Sequence, residues 1–112
     1  MPRKKTEEVV DGIFMEPVPI TLGDEVKIRY KGLLAQAGAN KVYLHLGYGN
    51  NEWKNVEDIP MRKLRDGSWS AKVRVNDPSS LNFCFRDDAQ NWDNNYGKNW
   101  TYQVHDGSQV TH

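Results

Sequence analysis

Apolar and polar residues trade places at every second position along most of this chain, the period of a half-buried β-strand. In "EVKIRYKG", Val26, Ile28 and Tyr30 share one face, and Lys27, Arg29 and Lys31 the other. "KVYLHLGYG" turns Val42, Leu44 and Leu46 inward, with Tyr43 and His45 outward. "SWSAKVRVND" sets Trp69, Ala71, Val73 and Val75 against Ser70, Lys72 and Arg74. "SLNFCFRD" aligns Leu81, Phe83 and Phe85, and "NWTYQV" aligns Trp100, Tyr102 and Val104. A shorter strand over Ile59 to Leu64 is expected to turn through "RDGS" into the Trp69 strand, because Asp-Gly is a strong hairpin signal. A first strand is expected between Ile13 and Pro19, at a sheet edge, since proline donates nothing to a ladder. "LLAQAGAN", residues 33–40, reads as a loop, and residues 1–12 as a charged, frayed leader.

Six or seven short strands separated by turn residues predict an all-β fold, an antiparallel β-sandwich of Ig-like type. One face of each strand is polar, as expected where two sheets meet only through their inner faces. A chain of 112 residues suits one such domain, placed at residues 13–112 behind the leader.

Composition narrows the function. Fifteen Lys and Arg balance fifteen Asp and Glu, so the net charge is zero. That lacks the basic field of a dedicated nucleic-acid binder. No apolar run approaches the roughly 18 residues of a membrane span, so neither nucleic acid nor membrane is an expected partner. Cys84 is the single cysteine and makes no internal disulfide. The opening residues carry no secretory pattern. Both features predict a cytoplasmic protein, or an extracellular one if the chain is an excised module.

The four tryptophans divide into two kinds. Trp69 and Trp100 lie in phase with apolar strand faces and are expected in the core. Trp53, in "GNNEWKNVED", and Trp92, in "AQNWDNNYG", belong to no alternating run. A plug folded back over the sandwich is the plain reading of one such ring; two in so short a chain favour display. His45 adds a third ring by its outward parity, and Tyr48 and Tyr96 lie in the same two regions. Flat apolar rings among Asn, Asp and Lys suit sugars, which offer a C–H face to an aromatic ring and a hydroxyl rim to amides and carboxylates.

"VYLHLGYGNNEWKN" followed by "LNFCFRDDAQNWDNNYGKNW" resembles the starch-binding carbohydrate-binding modules of family 25, and more loosely family 26. The resemblance covers roughly residues 22 to 104. It rests on a strand ending in His, a Trp about eight residues on, and an "F-x-F-x-D…NWDNN-x-G" segment. It implies a β-sandwich that binds α-1,4-glucan without catalysis or cofactor, some members also accepting α-1,6-linked glucose. It implies a sugar platform of His45, Trp53 and Trp92. Asp93, Asn94, Asn95 and Lys98 would then supply polar contacts or shape the loop. Such modules are typically appended to secreted amylases. Without a signal peptide here, an intracellular glycogen-like polymer is the expected ligand, with a glucan-active enzyme as a partner in trans.

Three rivals remain: an enzyme of either of two kinds, a calcium site and a protein-binding domain. A glycosidase needs two carboxylates across a cleft; Asp87, Asp88, Asp93, Glu57 and Asp58 are available, but carboxylates in turns are usually solvated or capping. Cys84 with His45 or His105 makes a nucleophile pair on paper, yet Cys84 sits mid-strand between Phe83 and Phe85. Alternating oxygens at Asn91, Asp93 and Asn95 suggest calcium, but Gly97 comes one place late and Tyr102 stands where an EF-hand has Glu; no metal is expected. An Ig-like interaction domain gripping a protein through the same exposed rings is the alternative function.

Overall fold

The alternating runs become strands, and their apolar faces meet. The computed structural model describes residues 8–10, 12–50, 52–94 and 97–106. In chain order the elements are β1 (Glu8–Val10), β2 (Ile13–Glu16), β3 (Ile20–Thr21), β4 (Glu25–Tyr30), α1 (Leu33–Gln36), β5 (Val42–Tyr48) and β6 (Lys54–Pro60). They continue with β7 (Arg62–Lys63), β8 (Trp69–Arg74), β9 (Ser80–Asp87), β10 (Trp92–Asp93) and β11 (Trp100–His105). One sheet has the order β1-β2-β4-β8-β7 and the other β3-β11-β9-β5-β6, with β10 also paired to β9. All described pairs are antiparallel except β3 with β11. The result is an all-β sandwich.

The core lies between the sheets, where Val26, Ile28 and Tyr30 of β4 meet Leu44 and Leu46 of β5 and Leu81, Phe83 and Phe85 of β9, all buried. Tyr30 stacks on Phe85 with ring centroids 4.0 Å apart, and Trp100 meets Phe85 edge-on at 5.4 Å. Each such aliphatic or aromatic side chain adds roughly 1.5–3 kcal/mol by leaving water. Trp69 and Trp100 are 4% and 5% exposed, as their phase predicts. The "RDGS" turn also forms. The Leu64 N–H donates to the Ser68 carbonyl at 2.8 Å, and the Asp66 carboxylate accepts the Ser68 N–H at 2.9 Å.

Four local expectations change. Residues 33–36 form one helical turn instead of loop, because Leu34 is apolar and buried and its N–H donates to the Tyr30 hydroxyl at 2.9 Å. β2 is an interior strand, flanked by β1 and β4. It ends at Glu16, so its prolines fall in the bend beyond it and cost the ladder nothing. Residues 8–10, placed in the frayed leader, pair with β2 as β1. The strand expected at Ile59 starts earlier, at Lys54, and breaks at Met61. There the Met61 N–H donates to the Val42 carbonyl at 2.9 Å, and the chain crosses to the other sheet. In β6 only Ile59 is even half-buried. It is an edge strand whose Lys, Glu and Asp guard against edge-to-edge pairing.

Candidate functional site

His45 occupies the outer side of β5, with its side chain half-buried. Across the ladder it faces Asp58 of β6 on one side and Cys84 of β9 on the other. His45 Nδ1 lies 2.7 Å from Asp58 Oδ1, and the Arg86 guanidinium reaches Asp58 Oδ2 at 3.4 Å. Arg86 also lies over the ring of its cross-strand partner Tyr43, 4.3 Å from the centroid. Partial burial pushes the Asp58 carboxyl upward, but the His45 and Arg86 hydrogen bonds and charges outweigh it and hold the group below the usual carboxylate range. An ionised carboxylate only accepts, so the His45 Nδ1 donates.

Trp53 approaches from the β5–β6 connection, and Gly47 makes the approach possible. A Cβ on Gly47 would stand 2.9 Å from the Trp53 Cβ and 3.2 Å from its ring. Register shifts at this point, between Leu46 and Tyr48, the mark of a bulge. Gly49 then turns the chain at φ +134, where a Cβ would overlap the Glu52 carbonyl. The Gly49 carbonyl accepts Asn82 Nδ2 at 2.9 Å. The Trp53 ring ends 5.7 Å from the His45 ring, tilted by 32°.

Trp92 arrives by a tight hairpin. The Asp87 carboxylate accepts the N–H groups of Ala89 and Asn91 at 2.9 and 2.8 Å, and Asn91 Nδ2 at 2.9 Å. The Asp87 N–H donates to the Asn91 carbonyl at 3.0 Å. The Asn91 side chain and backbone bonds hold the Asp87 carboxyl below its ordinary pKa. This turn sets Trp92 opposite Arg86, on the outer face, 44% exposed. Its ring meets His45 edge-on, centroids 5.1 Å apart and planes at 89°.

Three of the residues expected from the sequence therefore converge: His45, Trp53 and Trp92. Asp93 and Asn94 make contacts apart from these rings. Asp93, one residue on from Trp92, takes the opposite side of its strand. Its Oδ2 accepts the hydroxyl of Tyr30 from inside the sandwich at 2.5 Å. Burial, then the Asp93 carboxylate, raise the Tyr30 phenol far above its ordinary range, so it stays a donor. Asn94 shapes the following loop: its side-chain oxygen accepts the Gly97 N–H at 2.9 Å. Its carbonyl accepts the N–H groups of Gly97 and Asn99 at 3.1 and 2.7 Å. Lys98 is exposed in that loop. Asn95, and Tyr96 beside it, lie outside the described residues.

Gly47, Asp58, Arg86 and Tyr43 escaped the sequence reading of the site. For Arg86 a signal existed, since the parity of "LNFCFRD" puts it on the same side as the outward-facing Cys84. Cys84 itself is buried beside His45, and burial, then Asp58 and Asp93, push its thiol up to about 11. A protonated thiol is a poor nucleophile. Among the described residues no three His, Cys, Asp or Glu gather as metal ligands. A cleft of about 570 Å³ elsewhere, between β6 and β8, has Glu57, Lys72 and Arg74 on its walls. Tyr48 is its one aromatic and is buried, so a sugar face finds nothing to stack on.

Residues 26–83, just over half of the chain, match the starch/carbohydrate-binding module family 53. The chain belongs to that family. The family-53 module is also similar to an alpha-amylase of Clostridium acetobutylicum, 39% identical over 80 residues, which are 70% of this chain and 10% of the amylase. It thus spans about a tenth of the length of the curated relative it matches. No solved structure matches the module. Families of this kind are typically non-catalytic. Starch binding is the character that the sequence resemblance implied; the family reached carries the number 53 instead of 25. The matched span includes His45, Trp53 and Asp58 and stops before Arg86 and Trp92.

Proposed function

We propose that this module binds α-1,4-glucan, as starch, glycogen or maltooligosaccharide, on the outer face of the β5–β9 sheet, and performs no chemistry on it. The observation that carries the reading is the contiguity of three rings, Trp53, His45 and Trp92, with Trp92 44% exposed. His45 is tilted by 32° to one indole and by 89° to the other, so the two indole planes cannot be parallel. A bent pair follows the curve of an α-linked chain, whereas a flat row suits an extended β-linked one. The likeness of the "NWDNN" segment to family-25 modules supports Trp92 as part of the platform. The amylase relative supports a glucan-active enzyme as the partner that shares the polymer.

Covering two sugar faces removes roughly 200 Å² of apolar surface, ~5 kcal/mol gross. Ordering a flexible glucan offsets much of that. The expected single-site Kd is on the order of 10 µM to 1 mM, weak enough that binding to a polymer gains from many repeats. Gel electrophoresis through glycogen, amylopectin and a β-glucan control tests the reading. The module should be retarded by the two α-glucans alone and quenched in tryptophan fluorescence by maltooligosaccharides. Equal mobility in all three gels would refute it.

A further inference from the structure

His45 is flanked by a carboxylate that is itself held in place. Asp58 Oδ1 accepts the Nδ1–H at 2.7 Å while Arg86 donates to Oδ2 at 3.4 Å. Arg86 in turn rests on Tyr43. The chain of contacts crosses three strands, β6, β5 and β9, whose ladders set the spacing. A neutral imidazole has one donor nitrogen and one acceptor, and the bond made by one decides the other. The two nitrogens point in diverging directions from the ring, so Nε2 faces away from Asp58. Among the described residues nothing bonds Nε2, and it is not a buried orphan.

We infer that Asp58, braced by Arg86, is a positioning residue for glucan binding: it fixes the His45 proton on Nδ1 and presents a bare Nε2 as acceptor to a glucose hydroxyl. This rests on the glucan reading above. It gives the imidazole a directional role beside the stacking of the two indoles. It also explains why an imidazole stands between the indoles, since a phenyl ring there would stack but accept nothing. Sugars donate and accept through each hydroxyl, so a fixed acceptor selects one orientation of the chain on the platform.

The test combines nitrogen-15 NMR of the neutral histidine ring with calorimetry against maltoheptaose. The wild-type module should show the Nδ1–H tautomer. Asp58→Asn is nearly isosteric at a half-exposed site, and its amide supports either tautomer. It should give a mixture and weaken binding roughly 3- to 10-fold, the usual worth of one hydrogen bond. In a His45→Ala background the same substitution should cost nothing further, since its effect passes through the ring. Arg86→Gln should shift the tautomer balance in the same direction, less strongly. An Nε2–H tautomer in the wild type, or an equal loss from Asp58→Asn in both backgrounds, would overturn the inference while leaving glucan binding intact. A wild-type module that binds no maltoheptaose would instead bring down the glucan reading, and this inference with it.

Discussion

Both outer faces of the sandwich carry an arginine laid over a cross-strand aromatic ring. On the β2–β4 side Arg29 lies 4.3 Å from the centre of Phe14, directly opposite in register. On the β5–β9 side Arg86 lies 4.3 Å from the centre of Tyr43, again directly opposite. The local device is the same, yet the surroundings diverge. Next to Arg29, Lys27 faces Lys72 across the ladder, a like-charge pair that favours open solvent. Next to Arg86 stand Asp58, then His45, with both indoles against the imidazole. A half-buried ring with a cation on it therefore does not by itself single out one face. The mark is several rings brought together by separate loops and tied to a polar network.

That contrast can be broken most severely at the indoles. Trp92→Ala or Trp53→Ala should lower maltoheptaose affinity roughly 100-fold or more, with the melting temperature little changed, while Phe14→Ala on the other face leaves affinity alone. Calorimetry beside thermal denaturation decides it. Gly47→Ala comes next. The added methyl meets Trp53 at 2.9 Å, so the ring must move, and a loss of roughly 10-fold is expected, since misplacing one stacking surface forfeits about 1.4 kcal/mol. Tyr30→Phe acts from beneath. It takes the Tyr30 hydroxyl away from the Leu34 N–H and the Asp93 carboxylate, costing about 1–3 kcal/mol of stability in chemical denaturation and only a few-fold in affinity. Arg29→Gln is the smallest change: no shift in affinity by calorimetry, in contrast to Arg86→Gln.

Much of the fold is written in parity. Val26, Ile28 and Tyr30 declare β4, and the same alternation separates Trp69 and Trp100, both buried, from His45 on the outer face. Elements that lack a period were harder to read. β6 has no buried face apart from half-buried Ile59, and its position comes from pairing with β5, a long-range fact that its own residues do not carry. α1 is too short for a helical period to show. Of the ring cluster, the tryptophans were legible because tryptophan among Asn and Asp stands out. The Asp58–His45–Arg86 contacts were not. They depend on register between three strands, and register depends on a bulge at Gly47 that a string of letters does not announce. The inward aim of Asp93 follows from alternation within β10, but only once Trp92–Asp93 is known to be a strand.

The last strand column has an interruption with a practical consequence. Asp93 pairs with Phe85 and Trp100 with Phe83, so the column breaks between Asp93 and Trp100 while the neighbouring strand advances only past Cys84. Across the break the carbonyl of Asn94 accepts the N–H groups of Gly97 and Asn99. Those two bonds and the ladder pairs on either side hold β10 and β11 in place without help from the Lys98 side chain. Lys98, exposed in this break, is therefore a position where substitution should leave the folding of the scaffold nearly untouched.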